Sequence, residues 1–185
     1  MGADIYLYDQ RRRDLDARID AWVNEPTEWR EPFVARVEPE PEREHRSMVH
    51  IWQGGIDETS RALAKEHQAL QETHYFRDSY NASSLFWRLG LSWWGLLNGG
   101  FINDEGILNA DTVRMLLDGY NELSERMLSE EATLAWYAEE EKKGTLFSDD
   151  EGPNFWVKYF QEKGQRFAEF CQRTLENDGH WECSV

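Results

Sequence analysis

Residues 75–98 read YFRDSYNASSLFWRLGLSWWGLLN, and they place a polar run directly before the most apolar stretch of the chain. From Ala82 to Asn98 the only formal charge is Arg88, and Leu, Phe and Trp occupy most other positions. A helix that is apolar nearly all round is buried. The stretch is too short and too interrupted by glycine for a membrane span. We therefore predict a buried central helix over 82–98.

The polar run is open to two interpretations. Buried polar groups are usually satisfied by partners inside the protein, which favours a structural network. In that network Asp78 pairs with Arg77 or Arg88, and Asn81 or Ser79 caps the central helix.

The second interpretation is a ligand pocket beside aromatic walls. Here Arg77 binds an anion, Ser79 and Asn81 give directional hydrogen bonds, and an aromatic ring of Tyr80 or Trp93 stacks on the ligand. The candidate ligand-binding residues are Arg77, Asp78, Ser79, Tyr80, Asn81 and Trp93.

Four short blocks occur in order along the chain: MGADIYL at 1–7, YFRDSYN at 75–81, LGLSWW at 89–94 and ECSV at 182–185. In these blocks the chain resembles a family of small uncharacterised proteins encoded by bacteriophages and related bacterial sequence. The segments between the blocks do not share the resemblance. It implies a phage accessory protein that acts by binding in the host cytoplasm, and it brings no catalytic residues with it.

The charge balance restricts the partners. With 36 acidic and 20 basic side chains, the net charge is −16. Direct nucleic-acid binding and anionic-membrane binding both need a basic surface, so both are disfavoured. The two cysteines, Cys171 and Cys183, lack zinc or CxxC spacing, which favours a reducing cytoplasm.

Local periodicity predicts the remaining elements. Side chains that alternate with a period of two residues predict strands at the two ends of the sequence, 3–9 and 180–185. We expect these two strands to pair with each other, with SMVHIW at 47–52 as a third strand. Helical spacing predicts helices at 11–24, 57–73, 109–141 with a kink near Ser129, and 153–178. The expected fold is α+β and predominantly helical, with about five helices around the central helix 82–98 and a small sheet from the terminal segments. A single domain is expected over 1–185.

Four of the five prolines lie among alternating charges between residues 25 and 46. Proline removes a backbone donor and fixes φ, so this composition breaks regular structure. We predict a loop or flap over 25–46.

No motif indicates a catalytic site, and no cofactor or metal is expected. The phosphate-binding, dinucleotide, GxSxG and HExxH patterns are missing from the sequence. His67 and His74 share one predicted helix face, but no further ligand matches their spacing.

The sequence favours a binding protein for a small ligand, including nucleotide-like ones, or for a host protein. One alternative is an acidic nucleic-acid mimic, because ten of the sixteen net negative charges lie in 99–152. The other is a small hydrolase with Asp78 or His74 as base. The sequence does not specify an oligomeric state.

Overall fold

The computed structural model describes residues 2–25, 46–146 and 152–184. Within these ranges the chain forms eight helices and four strands, and five of the helices have 14 or more residues. In chain order the elements are β1 (Gly2–Tyr8), α1 (Gln10–Asn24), α2 (Met48–Trp52), α3 (Glu58–His74), β2 (Tyr75–Ser79), α4 (Leu85–Arg88), α5 (Trp93–Asn98), β3 (Ile107–Leu108), α6 (Ala110–Met127), α7 (Glu130–Lys143), α8 (Pro153–Glu176) and β4 (His180–Ser184). The predicted fold class, α+β and predominantly helical with a small sheet from the terminal segments, is confirmed.

The chain divides into two compact units. The larger unit comprises Met1–Gln10 and Thr73–Val185, and the smaller comprises Arg11–Glu72. Each has a hydrophobic core of its own. The single domain over 1–185 stays a prediction.

The sheet belongs to the larger unit and has the antiparallel strand order β2-β1-β4-β3. Ile5 of β1 lies opposite Phe76 of β2 on one side and Cys183 of β4 on the other. Ala3, Ile5 and Leu7 are buried, as the alternation predicts for one sheet face. The pairing of the two terminal segments is therefore confirmed.

The strand predicted at 47–52 is wrong, because Met48–Trp52 is the short helix α2. Met48 and Ile51 stand three residues apart, and both pack against the core of the smaller unit, whereas Val49 and Trp52 are exposed. A short run of apolar residues fits both the spacing of a helix and that of a strand, so its packing decides which of the two it forms. The additional strands of the sheet are β2, formed by YFRDS, and the two-residue β3.

The single helix predicted over 82–98 is instead two short helices, α4 and α5. Gly90 has a φ of +74°, and the amide of Leu91 donates to the carbonyl of Phe86 at 2.8 Å, which ends α4. Ser92 then starts α5 by accepting a hydrogen bond from the amide of Gly95 at 2.8 Å. The turn exposes two tryptophans that the apolar pattern placed in the core, Trp87 at 64% and Trp94 at 57%.

Three long helices complete the larger unit. Asn109 caps α6, since its Oδ1 accepts from the amide of Thr112 at 2.9 Å. The chain breaks rather than kinks near Ser129, whose Oγ accepts from the amide of Ala132 and caps α7. In α8 the aromatic residues of one helix face are buried, with Trp156, Phe160, Phe167 and Phe170 in the core.

In the smaller unit, Leu15, Ile19 and Trp22 of α1 pack with Ile51 and Leu63. Asp57 caps α3 by accepting from the amide of Ser60 at 2.7 Å. Most of the predicted flap, residues 26–45, lies outside the described residues. None of the described helices combines the length and the apolar character that crossing a membrane requires.

Candidate functional site

The polar run lies on and just after β2, so the strand alternation separates its members. Phe76 and Asp78 face the core and are buried, whereas Arg77 projects to the opposite face and is exposed. Tyr80 and Asn81 follow in the turn that leads to α4. The structure therefore does not bring the six predicted site residues together around one cavity.

Asp78 is the centre of a buried hydrogen-bond network. Its side chain is fully buried, and both carboxylate oxygens accept bonds. The donors are Ser84 Oγ at 2.8 Å, the amide of Leu85 at 2.9 Å, the amide of Phe86 at 3.1 Å, the indole Nε1 of Trp93 at 3.0 Å and Lys163 Nζ at 2.7 Å. The carboxylate thus satisfies amides in the first turn of α4 and neutralises a cation from α8.

Lys163 supplies that cation, and the predicted ion pairs of Asp78 with Arg77 or Arg88 are wrong. Besides Asp78, the Lys163 ammonium donates to the carbonyl of Ser83 at 3.1 Å and to the hydroxyl of Tyr159 at 2.9 Å. An ammonium has three N–H donors, and Lys163 has one partner for each of them. Arg77 cannot reach this network because it projects from the other face of β2.

Trp93 is a core residue. Its ring is 2% exposed and stacks on Phe86 with centroids 4.0 Å apart and planes 8° apart, while its indole N–H is bound to Asp78. Both faces and the polar edge are thus covered by the protein's own core. We infer that Trp93 holds the Asp78 network in place.

Tyr80, Ser79 and Asn81 have different environments. The ring of Tyr80 lies 6.3 Å from that of Trp94, and its hydroxyl is a buried atom without a hydrogen-bond partner. Burial raises the pKa of the Tyr80 phenol, and the negative charges of nearby carboxylates raise it further. Ser79 and Asn81 both bond the hydroxyl of Ser83, at 2.7 Å and 2.6 Å, so the predicted cap at 79–81 is a turn instead. Ser84 caps α4.

Arg77 is the most accessible member of the run, with a side chain 59% exposed. One of its guanidinium nitrogens lies 3.6 Å from Asp4 on the neighbouring strand. Asp4 also accepts a bond of 2.5 Å from the hydroxyl of Tyr75. An exposed pair at this distance is weak, so Arg77 retains most of its capacity to bind an anion.

A groove of about 400 Å³ runs along β2. It is lined by all five residues of β2 and by Tyr159, Glu162, Lys163 and Arg166 of α8. In the sheet β2 pairs only with β1, so its other edge carries no neighbouring strand in the described part of the chain. The groove therefore combines a strand edge with one face of α8.

The groove is richer in cations than the rest of this acidic chain. Arg77, Lys163 and Arg166 line it against Asp78 and Glu162, and Asp78 is already neutralised by Lys163. Arg166 is exposed, and no described residue makes a hydrogen bond or ion pair with it. Sequence interpretation missed Lys163 and Arg166, although residues 159, 163 and 166 follow the spacing of one helix face.

A second buried polar pair joins the end of β1 to the end of α3. His74 Nε2 lies 3.1 Å from Asp9 Oδ2, and Nδ1 lies 2.8 Å from the hydroxyl of Thr73. His74 and Asp9 are 3% and 1% exposed. Both imidazole nitrogens are thus engaged, and neither residue lines the groove.

The described residues contain no group of three or more His, Cys, Asp and Glu side chains placed to hold a metal ion. Cys171 and Cys183 are both free thiols.

Comparison with family models, curated proteins and solved structures finds no significant match to this chain.

Proposed function

We propose that this chain is a binding protein whose ligand presents an anionic group to the groove between β2 and α8. The observation that carries the proposal is the pair of exposed guanidinium groups, Arg77 and Arg166, in one groove of a chain with a net charge of −16. Guanidinium groups bind carboxylate and phosphate through paired hydrogen bonds, which are stronger than those between neutral groups.

The rigid base of the groove supports the same function. The Asp78–Lys163 network fixes β2, α4 and α8 relative to one another through the hydrogen bonds of the buried Asp78 and the partly buried Lys163. The open edge of β2 also offers backbone N–H and C=O groups to a ligand, beside the two arginines. Such a groove suits a small ligand with a phosphate or carboxylate, including a nucleotide, or an acidic segment of a host protein.

The biological setting of the proposal comes from the resemblance to phage-encoded proteins. On that basis the chain is an accessory protein that acts in the host cytoplasm. It interferes with host processes or defence by binding a small ligand or a host protein. Direct binding of nucleic acid or of a membrane is not part of the proposal, since the net charge opposes both.

The experiment compares capture by two double variants. Arg77→Ala with Arg166→Ala removes the two exposed arginines of the groove, while Arg114→Ala with Arg126→Ala removes two exposed arginines of α6. Tagged wild-type and variant proteins are incubated with host-cell lysate, and retained proteins and small molecules are quantified by mass spectrometry. A specific species should be lost with the groove variant and retained with the α6 variant. Equal retention by both variants would contradict a site in the groove.

A second candidate, the acidic nucleic-acid mimic, is supported by the surface of α6 and α7. Exposed acids on these helices include Asp118, Glu122, Glu125, Glu131 and Glu139. Rows of exposed carboxylates steer association with a basic protein, and salt screens that steering. Glu140 contributes less, because its carboxylate binds Lys143 and Thr145.

The test of this second candidate reverses exposed charges that make no hydrogen bond or ion pair within the described chain. Replacing Glu122, Glu125 and Glu139 by Lys should abolish capture of a basic host protein, and capture by wild type should fall steeply as salt rises above 0.15 M. The groove variant should retain that partner. The opposite pattern would favour the groove.

The hydrolase alternative placed the base at Asp78 or His74. Asp78 is engaged by five donors, which leaves it poorly placed to accept a proton from a substrate. A series of polar contacts runs from the hydroxyl of Thr73 to the imidazole of His74 and on to the carboxylate of Asp9. This is the order of groups in a nucleophilic triad. Hydrolysis of an activated ester by wild type, lost in His74→Gln, would support this alternative; equal rates would oppose it.

A further inference from the structure

Arg88 of α4 is a buried cation with few partners. The residue is 7% exposed, and one Nη donates to the carbonyl of Met127 at the end of α6. Its Nε is buried and has no hydrogen-bond partner among the residues that the structure describes. No carboxylate of the described chain pairs with the guanidinium, in contrast to the buried Lys163, which has Asp78.

Aromatic rings and a helix end provide part of the compensation. The guanidinium carbon lies 5.2 Å from the ring centroid of Trp136 and 5.4 Å from that of Phe160, within the range of cation–π attraction. The carbonyl of Met127 adds the negative end of the α6 dipole. Burial nevertheless lowers the pKa of Arg88, and the more distant charge of Glu140 opposes that shift. A buried cation of this kind normally has an anion beside it.

Two more unpartnered donors lie on α7 and α8, the helices that supply Trp136 and Phe160. The Thr133 hydroxyl and the indole N–H of Trp156 are both buried, and neither makes a hydrogen bond to a described residue. Trp156 contacts Trp136 at 5.4 Å and Phe160 at 5.9 Å between ring centroids, so it borders the same two rings as Arg88. Thr133 precedes Trp136 by three residues on α7, which places both on one helix face.

We propose that Arg88, Thr133 and Trp156 form a binding site for a small monovalent anion. The three groups offer N–H and O–H donors to a common aromatic cluster, and one negative charge would neutralise the buried guanidinium. The closely packed rings favour a halide or an ion the size of formate over a nucleotide or a peptide. The site is formed by α4, α7 and α8, and none of its residues lines the groove along β2.

The test measures thermal unfolding of the full chain at constant ionic strength while sodium gluconate is replaced by sodium chloride, bromide or formate. Gluconate is too large for the proposed site. An ion that binds only the folded state raises Tm, by about 3–5 °C for each tenfold increase in concentration beyond its Kd in a chain of this size. Arg88→Met should abolish the dependence on the small anion, whereas Arg114→Met, at an exposed position on α6, should preserve it.

Thr133→Val provides the decisive variant if Arg88→Met does not fold. It keeps the shape of the side chain and removes the hydroxyl, so it should reduce the Tm increment in chloride by at least half. A wild-type Tm that is the same in gluconate and in chloride would overturn the proposal. So would an increment that Thr133→Val retains in full, because the ions would then be acting elsewhere on the protein.

Discussion

The carboxylate of Asp78 in β2 lies 2.7 Å from the ammonium of Lys163 in α8; the Asp78 side chain is fully buried, and that of Lys163 is 11% exposed. This contact joins the edge of the sheet to the longest helix, and the same carboxylate holds the first turn of α4. A buried ion pair costs desolvation of both charges, so it is maintained only where hydrogen bonds satisfy both partners. Asp78 and Lys163 meet that condition.

Breaking this pair should destabilise the larger unit strongly. Asp78→Ala leaves Lys163 buried without its counter-ion and removes the acceptor for Trp93, so we expect a loss of about 3–5 kcal/mol in the free energy of unfolding. Urea denaturation followed by circular dichroism measures the loss. Asp118→Ala, at an exposed position on α6, serves as the control and should change stability by less than about 0.5 kcal/mol.

The coupling is measured by adding Lys163→Met to Asp78→Ala. The double variant should be less destabilised than the sum of the two single variants, because it removes both charges. Strict additivity would show that the two side chains do not interact.

Two glycines in helices should respond oppositely to alanine. A Cβ at Gly164 of α8 would lie 2.8 Å from the hydroxyl of Tyr120 and 3.0 Å from a methyl of Leu128, so Gly164→Ala should destabilise the protein by about 1–3 kcal/mol. A Cβ at Gly119 of α6 meets no atom within 4 Å. Gly119→Ala should therefore stabilise by about 0.5–1 kcal/mol through lower entropy of the unfolded chain. Equal stabilisation by both substitutions would contradict the close approach of α8 to α6.

Both thiols should be unreactive in the folded protein. Burial raises the pKa of Cys183 to about 12 and the pKa of Cys171 well above its usual range. Since the thiolate is the nucleophile, alkylation by iodoacetamide at pH 8 should be negligible in buffer and complete in 6 M urea. Mass spectrometry of the alkylated protein gives the readout. Rapid labelling of Cys183 under native conditions would contradict its placement in β4 beside β1.

The cap of α3 should contribute stability that depends on pH. Burial acts to raise the pKa of Asp57, but hydrogen bonds from Ser60 and Trp22 and the charge of Arg46 together lower it below its ordinary value of 3.8. A carboxylate with a lowered pKa stabilises the fold at pH values above 3.8, and this contribution is lost as the pH falls through the folded-state pKa. Ser60→Ala removes one of the bonds, so the pKa of Asp57 should move up towards 3.8.

The pKa of Asp57 is measured by NMR titration of the side-chain carbonyl in wild type and in Ser60→Ala. Glu66 serves as the internal control, because its pKa is lowered mainly by the hydrogen bond from Arg18 and should not change. An unchanged Asp57 pKa in the variant would mean that the hydroxyl of Ser60 does not bind the carboxylate.

The sequence by itself determined the features that depend on local periodicity. Alternation at Ile5 and Leu7 and at Trp181 and Cys183 predicts the paired terminal strands. The 3.6-residue spacing predicts the long helices, although it treats α6 and α7 as one kinked helix. The spacing of apolar residues within one helix or strand shows which of its faces is buried. This face can be predicted without knowing which other element packs against it.

The tertiary structure alone decided which faces meet and which polar groups pair. Whether Asp78 would pair with Arg77, Arg88 or Lys163 depends on the packing of β2 against α8, which no local spacing encodes. Local spacing does not encode the break at Gly90 either, because the apolar run continues on both sides of the turn. It does not encode the groove, because Arg77 and Arg166 come from distant segments of the chain. Short-range patterns define burial, whereas the pairing of charges requires the full three-dimensional arrangement, because a buried charge is stable only beside its actual partners.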